Sequence, residues 1–332
     1  MPQLKPSIRR GPTAAERVVL HLLLEHRYLT AHLIVQAYSY LFGEGVHFVP
    51  KLLARLRRQG WILPFYRTNR PGSSEYVYTI SKTGARQLLT PTEYRSERRR
   101  IYNLEKPKAN YEHELGLSTL HLLWELGSRH VDDVFRTVWH WHDREGSRTN
   151  KINHFAVWHK GEYESIEPDH TYLIDHRRGD FYRPYFLQYE HSTKNHERLR
   201  EHFRIMTTLL AGTGATSEVR QVFLKHTGIE PTRGFAVYVT DTDYEARTLQ
   251  KLAMAMAFES RWRSRQWPRI FFSSMDRLKY VDYVRDARGV PLKNRHGRPW
   301  KREGIITPTH FFTKQLFFDL KGRPRYLVHA NP

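Results

Sequence analysis

The chain has 332 residues, enough for about two domains, and 39% of them are apolar, enough for a sizeable buried core. Lys and Arg total 54 against 34 Asp and Glu, so the formal net charge is +20, which favours a polyanionic partner, nucleic acid before an anionic membrane surface. The sequence has no cysteine, which excludes disulfides and cysteine nucleophiles. It has no signal-peptide pattern and no apolar run of the roughly 18 residues that a membrane span needs, which predicts a cytoplasmic protein.

The positive charge is concentrated at the two ends of the chain. Residues 1–110 hold 19 Lys and Arg against 7 Asp and Glu, and residues 281–332 hold 11 against 4. Residues 111–280 hold 24 against 23 and are nearly neutral. This distribution favours nucleic-acid contacts at the ends, with solvated faces kept for solubility as the alternative.

The first 60 residues contain three predicted helices with recognisable ends. Thr13 and Glu16 have the spacing of a capping box, Thr30 is a second N-cap, and Gly60 stops the third helix. The helices are predicted over residues 13–26, 31–42 and 46–59.

A β-hairpin is predicted to follow the helices. Residues 61–67 and 75–80 are rich in aromatic and β-branched side chains, and the turn-forming segment 68–74 lies between them. Ser81 begins a final short helix. Three helices and a hairpin in this order are the parts of a winged helix-turn-helix domain.

The third helix has the pattern of a helix that enters a DNA groove. Lys51, Arg55 and Arg58 recur on one face, while leucines at 52, 53 and 56 occupy the other. The alternatives are a basic helix that binds nothing and a winged helix that binds protein. The candidate DNA-binding residues of this domain are His47, Lys51, Arg55, Arg58, Arg67 and Arg70.

The segment 91–110 is predicted to be a basic linker, because it has two prolines, three consecutive arginines and few apolar residues. The centre of the chain then alternates helical and strand-like runs, which is typical of a mixed α/β sheet with helices on its faces. These runs are a helix at 111–127, strands at 134–142, 163–175 and 185–190, a helix at 195–210, a strand at 234–242, a helix at 243–259 and a strand at 269–274.

Two places in this sheet carry residues of possible catalytic importance. Nucleases with a restriction-endonuclease-like fold place an Asp on one strand and an acid, a spacer and a Lys on the next, where the acids hold Mg²⁺. Here Asp169 lies in the first strand, but on the second strand Gln188 occupies the position of the acid and Glu190 occupies the position of the lysine. One strong ligand and the cation are therefore missing.

Three interpretations of Asp169 and Glu190 remain open. The first is a degraded nuclease fold that serves as a scaffold. The second is a pair of ordinary solvated acids at the strand ends. The third is an active metal site completed by another side chain, with Lys194 as a speculative replacement for the lysine. The candidates to complete that site are Glu125, Glu114, His113 and Glu167.

The remaining motifs do not indicate a cofactor. The histidines at 140, 142, 191 and 196 lack the paired spacing of a zinc site. The GTG at 212–214 lacks the Gly-Lys-Ser/Thr that a phosphate-binding loop requires, so ATP use is not expected. No metal is expected either. If the domain is an active nuclease, the expected metal is Mg²⁺.

Several segments together resemble the replication-relaxation family of plasmid and mobile-element proteins, over about residues 13–275. The resemblance implies a winged helix joined to a restriction-endonuclease-like domain, with a role in plasmid replication, DNA relaxation or conjugative mobilisation. The family usually shows Glu-x-Asp on the second strand, where this chain has Gln188 and Glu190. The matching segments are YVYTISKTGARQLL, YEHELGLSTL, IEPDHTYLI, YFLQYEHST and GFAVYVTDTD.

The tail combines a basic stretch with an apolar one. Residues 285–302 are rich in Gly, Pro and basic side chains and predict an extended arm that lies along DNA, or a simple linker. Residues 309–320 are apolar enough to dock as a last strand or hairpin. The candidate DNA-binding residues of the arm are Arg295, Arg298, Lys301 and Arg302.

The sequence therefore predicts an α+β or α/β protein that binds double-stranded DNA as an accessory of plasmid replication, relaxation or mobilisation and is not itself an enzyme. The alternatives are a metal-dependent DNA endonuclease and a winged-helix transcription regulator. Further partners would be a relaxase or replication protein, or a second copy of the chain; no membrane is expected. The predicted domains are a winged helix at 1–90, a basic linker at 91–110, a nuclease-like α/β domain at 111–280, and a basic arm with a C-terminal docking segment at 281–332.

Overall fold

In the computed structural model, the chain divides into two compact units. The first unit comprises residues 1–122 and 281–304, and the second comprises 123–280 and 305–332. The structure describes residues 11–43, 48–66, 76–105, 111–132, 134–142, 146–147, 150–151, 154–159, 161–177, 179, 181–191, 196–211, 215–259, 269–283, 288, 290–293, 297, 299 and 301–327.

The N-terminal part of the first unit consists of five helices and a small antiparallel sheet with the strand order β1-β3-β2. The helices are α1 (Ala14–His26), α2 (Ala31–Phe42), α3 (Val49–Arg58), α4 (Lys82–Leu88) and α5 (Pro91–Leu104). The strands are β1 (Leu29–Thr30), β2 (Ile62–Tyr66) and β3 (Tyr76–Ile80).

The predicted helix starts are confirmed by the side-chain caps. Thr13 and Glu16 form a complete capping box at α1, and the Thr30 hydroxyl accepts a hydrogen bond from the backbone N–H of Leu33 at α2. The Ser81 hydroxyl caps α4 in the same way. Helix α3 begins at Val49, later than predicted, with Pro50 in its first turn, and residues 44–47 lie outside the described part of the chain.

Residues 91–104, predicted as part of a linker, form helix α5. Thr90 and Glu93 make a second capping box, and Pro91 occupies the first turn, where its missing N–H costs nothing. Ile101 and Leu104 are buried and fix the helix to the unit. The low apolar content of this segment led to the linker prediction, although two buried residues are enough to pack the helix against the unit. Residues 106–110 lie outside the described range.

Helix α4 approaches the start of β2 so closely that only glycine fits at position 84. A Cβ on Gly84 would lie 2.0 Å from the carbonyl oxygen of Trp61. We expect Gly84→Ala to lower the free energy of unfolding by about 1–3 kcal/mol, because the backbone must shift to relieve this overlap. Gly11→Ala is the control, since nothing lies within 4 Å of a Cβ there. Equal denaturant midpoints for the two variants would contradict the close approach.

The second unit is built on a seven-stranded mixed sheet with the order β16-β15-β12-β11-β10-β9-β4. Its strands are β4 (Arg136–His142), β9 (His170–His176), β10 (Phe181–Glu190), β11 (Phe235–Thr240), β12 (Ile270–Ser274), β15 (Phe317–Asp319) and β16 (Pro324–Arg325). Shorter pairs are β5 (Gly146–Ser147) with β6 (Asn150–Lys151), and β7 (Phe155–His159) with β8 (Glu162–Ile166). The helices are α6 (Tyr111–Ser128), which begins in the first unit, α7 (His196–Ala211), α8 (Ala215–Thr227), α9 (Asp243–Glu259), α10 (Met275–Leu278) and α11 (Pro308–Thr313).

The three central strands β10, β11 and β12 are parallel, and helices cover both faces of the sheet. Apolar side chains of α7, α8 and α9 pack on one face around Phe186, Tyr238 and Phe272. On the other face, Trp124 of α6 stacks on Tyr172 with 3.9 Å between ring centroids. The predicted mixed α/β sheet is confirmed at this level.

The strand-like run 163–175 was predicted as one strand but is two strands in different sheets. Strand β8 pairs with β7 in a hairpin, and β9 lies between β4 and β10 in the main sheet. Pro168 lies between them and has no N–H for a ladder, which ends the first strand. Helix α8 and strand β7 were not predicted.

The C-terminal segment adds two strands to the main sheet. The predicted docking hairpin at 309–320 is confirmed in part: β15 pairs with β12 and β16 pairs with β15, but helix α11 precedes them. Strand β14 (Lys301–Ile305) pairs with β13 (Lys279–Tyr283), so the last part of the predicted arm is a strand. In the part of the chain that the structure describes, no helix is long and apolar enough to cross a membrane.

Candidate functional sites

Helix α3 presents a basic face over a buried apolar one. Leu52, Leu53 and Leu56 are at most 4% exposed, while Lys51 and Arg58 are exposed. The helix therefore separates charge from core as its sequence pattern predicted.

Arg55 has a structural role that the sequence did not reveal. Its Nε lies 2.7 Å from Glu16 Oε1, and Glu16 is also the carboxylate of the α1 capping box. The side chain remains 47% exposed, but its charge is already paired. Arg55 ties α3 to α1, and the unpaired positive charge of the predicted face therefore belongs to Lys51 and Arg58.

Arg57 was missed by the sequence analysis. It is exposed on α3, and its guanidinium lies 5.6 Å from the ring centroid of Tyr76 on β3. Tyr66 and Tyr76 are exposed and face each other edge-on across the sheet, 5.9 Å between centroids. The run of two arginines at 57 and 58 was the available signal, but the helical spacing selected only the second.

The other predicted DNA-binding residues are not located by the structure. His47, Arg67, Arg70, Arg295 and Arg298 lie outside the described residues, and of Lys301 and Arg302 only the backbone strand β14 is described.

The second unit brings Asp169, Gln188 and Glu190 together on one face of the sheet. Leu187 pairs with His170 across β10 and β9, which places Asp169 beside Gln188. The carboxylate of Asp169 accepts a hydrogen bond of 2.7 Å from the backbone N–H of Tyr189. All three side chains are buried, at 8%, 7% and 4% exposure. Asp169 and Glu190 are therefore not the solvated strand-end acids of the second interpretation.

Tyr238 joins this buried polar cluster from the neighbouring strand. It pairs with Gln188 across β10 and β11, and its hydroxyl lies 3.3 Å from His202 Nδ1 on α7. Burial raises the pKa of the Tyr238 hydroxyl well above its usual value, and the charges of Glu190 and Asp169 raise it further. The cluster is therefore an acidic group enclosed between the sheet and α7.

The side chains suggested to complete a metal site lie in other contacts. Glu114 belongs to the first unit and forms a buried ion pair of 3.1 Å with Arg27, while His113 is its neighbour in the same unit. Glu125 pairs with Arg129, the residue that follows α6. Glu167 is exposed, and Lys194 lies outside the described residues. Among the described residues, no group of three His, Asp or Glu ligand atoms within 4.8 Å of one another includes Asp169 or Glu190.

Of the four predicted histidines, the side chains of His140 and His191 lie within the described part of the chain. The ring of His140 lies 6.3 Å from that of Tyr172, and His191 Nδ1 lies 2.7 Å from Asp241. The side chains of His142 and His196 are not described.

His176 at the far end of β9 gives the second unit a predicted pH dependence. Burial and the charge of Arg183 lower the pKa of His176 to about 4. The unfolded chain binds the proton near the ordinary value of about 6.5, so stability is complete above that pH and falls as the pH drops toward 4. We expect the unfolding free energy of the wild type to fall more steeply over this window than that of His176→Phe, which has an aromatic ring at this position but no titrating group. Parallel curves from denaturant titrations would contradict this assignment.

The fold and the two sites define a mixed α/β protein with a basic helical unit and a buried acidic cluster in a second unit. The model of the replication-relaxation family matches residues 20–224, which is more than half of the chain. The chain therefore belongs to the replication-relaxation family, and this membership suggests a role in the replication or relaxation of plasmids or mobile elements. Comparison with curated proteins and with solved structures finds no match.

Proposed function

We propose that the protein is a double-stranded DNA-binding accessory factor of plasmid or mobile-element replication, relaxation or mobilisation. The observation that carries this proposal is α3, with Lys51 and Arg58 exposed over a buried leucine face. A helix that enters a major groove needs this separation, because one face must pack on the domain while the other contacts bases and phosphates.

The arrangement of the elements around α3 supports a winged helix-turn-helix. Helices α1, α2 and α3 are followed by the β2–β3 hairpin, and β1 adds a third strand to β3. In such domains the third helix is the reading helix, and the hairpin loop contacts the backbone beside it. The loop at 67–75 would hold Arg67 and Arg70 but lies outside the described residues.

The second unit is proposed to be a nuclease-like fold that has lost its catalytic site. Asp169 and Glu190 supply two buried carboxylates, but Gln188 has a neutral amide where the nuclease pattern has an acid. Mg²⁺ holds its water tightly and is usually bound through carboxylates and substrate phosphates, so this set is a weak ligand set. The unit then acts as a scaffold for a second copy of the chain, a relaxase or a replication protein.

One observation favours a metal-dependent endonuclease as the second candidate. Among the described residues, Gln188 Oε1 is buried without a hydrogen-bond partner. An unsatisfied buried acceptor costs about 1–3 kcal/mol, and a cation held with Asp169 and Glu190 would remove that cost. Glu190 and Gln188 would then serve as ligands, with Asp169 as the third.

Duplex binding as a function of salt tests the proposal. Each phosphate contact releases about 0.9 counterion, so the affinity of the full chain for a mixed-sequence duplex should fall steeply between low and physiological salt. An affinity that is undetectable at low salt, or that does not change with salt, would overturn the DNA-binding function.

A further inference from the structure

Three arginines lie at the amino ends of the parallel strands β10, β11 and β12. Tyr185 pairs with Phe235 across β10 and β11, and Arg183 and Arg233 precede them by two residues each. Arg269 lies beside Phe235, because its carbonyl accepts the backbone N–H of Ala236. Arg183 lies two residues before Tyr185 on β10, and Arg269 lies beside Phe235, so these two side chains project on the face of Tyr185 and Phe235. Arg233 lies just before β11, close enough for its charge to act on Arg269. This edge is opposite to the one at which Glu190 ends β10.

Two of the guanidinium groups share one aromatic ring. The guanidinium carbons of Arg183 and Arg269 lie 5.0 Å and 5.2 Å from the centroid of Phe235. Burial raises the pKa of the Tyr185 hydroxyl, and the nearby charges of Arg183 and Arg269 partly oppose this rise. Arg233 and Arg269 are exposed, so an arriving ligand can reach them.

These arginines have no counter-charge in the part of the chain that the structure describes. None of the three takes part in a salt bridge there, and Arg183 Nε is buried without a hydrogen-bond partner. The charges of Arg183 and Arg233, after burial, lower the pKa of the Arg269 guanidinium. Residues 111–280 contain 23 Asp and Glu, so the missing partners do not reflect a shortage of acids.

Like charges held together without a carboxylate are costly unless an anion binds among them. Guanidinium groups match a phosphate particularly well, because their N–H donors form paired hydrogen bonds to its oxygens. Inorganic phosphate and a backbone phosphate offer the same oxygens. The exposure of two arginines at the sheet edge and the net charge of +20 favour an extended polyanion.

We propose that Arg183, Arg233 and Arg269 bind a backbone phosphate of duplex DNA, which gives the second unit a DNA contact of its own. The three arginines belong to the second unit and α3 belongs to the first, and none of the three is a candidate catalytic residue. Phosphate contacts carry no sequence information, so this contact adds affinity without changing the preferred sequence.

The test compares full-length Arg233→Ala/Arg269→Ala with the wild type in duplex binding over a salt series. We expect an affinity loss of about tenfold at low salt and a salt slope smaller by about 1, since one phosphate contact is removed. Arg129→Ala/Arg220→Ala is the matched control, because it removes the same charge from the same unit at exposed arginines paired with Glu125 and Glu230. Equal losses in both double variants would overturn the site and leave only a general charge effect.

Three further measurements make the outcome specific. The thermal midpoint of Arg233→Ala/Arg269→Ala without DNA should be unchanged or higher, because a repulsion is removed; Arg233→Ala alone serves if the double variant does not fold. Inorganic phosphate that raises the wild-type midpoint while the salt slope of the variant stays at the wild-type value would overturn DNA as the source of the phosphate. Lys51→Ala/Arg58→Ala is measured in parallel. If only this variant loses affinity for the duplex, the arginine site is overturned and the proposed function stands. If only Arg233→Ala/Arg269→Ala loses affinity, the arginine site stands and the role of α3 in DNA binding is overturned.

Discussion

Lys51→Ala/Arg58→Ala is expected to weaken binding of duplex DNA by the full chain about 10- to 100-fold at low salt. Both side chains are exposed on α3 and belong to the basic face that the proposed function places in the groove. A lost base contact costs about 1–3 kcal/mol, and a lost phosphate contact also lowers the salt slope by about 1. Fluorescence anisotropy with a labelled duplex over a salt series measures both effects.

The control for this prediction is Arg95→Ala/Arg98→Ala on α5. It removes the same charge from exposed positions of the same unit. Arg55 is not used, because its substitution would also break the ion pair with Glu16 and leave that buried carboxylate without its partner. If the control loses as much affinity as the test variant, α3 has no specific role and only the net charge matters.

Asp169→Ala is expected to destabilise the second unit without changing any reaction on DNA. The carboxylate accepts the backbone N–H of Tyr189 in a buried site, so its removal leaves that donor unsatisfied and costs about 1–3 kcal/mol of unfolding free energy. The wild type should not nick supercoiled plasmid above background with Mg²⁺ or Mn²⁺, because the charged ligand at 188 and the lysine at 190 of the nuclease pattern are both replaced.

Asp169→Asn separates the two roles, since its amide oxygen can still accept the Tyr189 N–H. It should restore most of the lost stability. Metal-dependent nicking by the wild type that disappears in both Asp169→Asn and Glu190→Ala would establish the endonuclease and reject the scaffold.

The helices were predictable where their ends carry side-chain signals. The capping residues Thr13 and Thr30, and the cap at Ser81, fixed three helix starts from local chemistry alone. Helix α5 has the same kind of cap at Thr90, but its arginine-rich surface gave it the composition of a linker. The composition of α5 is dominated by its solvent-exposed residues, and its two buried residues are too few to show a helical periodicity of apolar side chains.

The candidate site was predictable only where strand alternation decided it. Asp169, Gln188 and Glu190 meet because period-2 alternation and one strand register place them on one face. The arginine site at 183, 233 and 269 was not predictable, because its members lie at the amino ends of three strands whose register depends on the whole sheet. The pairing of Arg55 with Glu16 was not predictable either, because the two residues are 39 positions apart in the sequence and meet only when α1 and α3 pack together.

Sequencing of duplex fragments retained from a random pool by the full chain tests the central claim most directly. We expect the wild type to enrich a common sequence and Lys51→Ala/Arg58→Ala to lose this enrichment, while Arg95→Ala/Arg98→Ala retains it. A wild type that retains no duplex, or the same enriched sequence in Lys51→Ala/Arg58→Ala, would contradict sequence-specific DNA binding by α3.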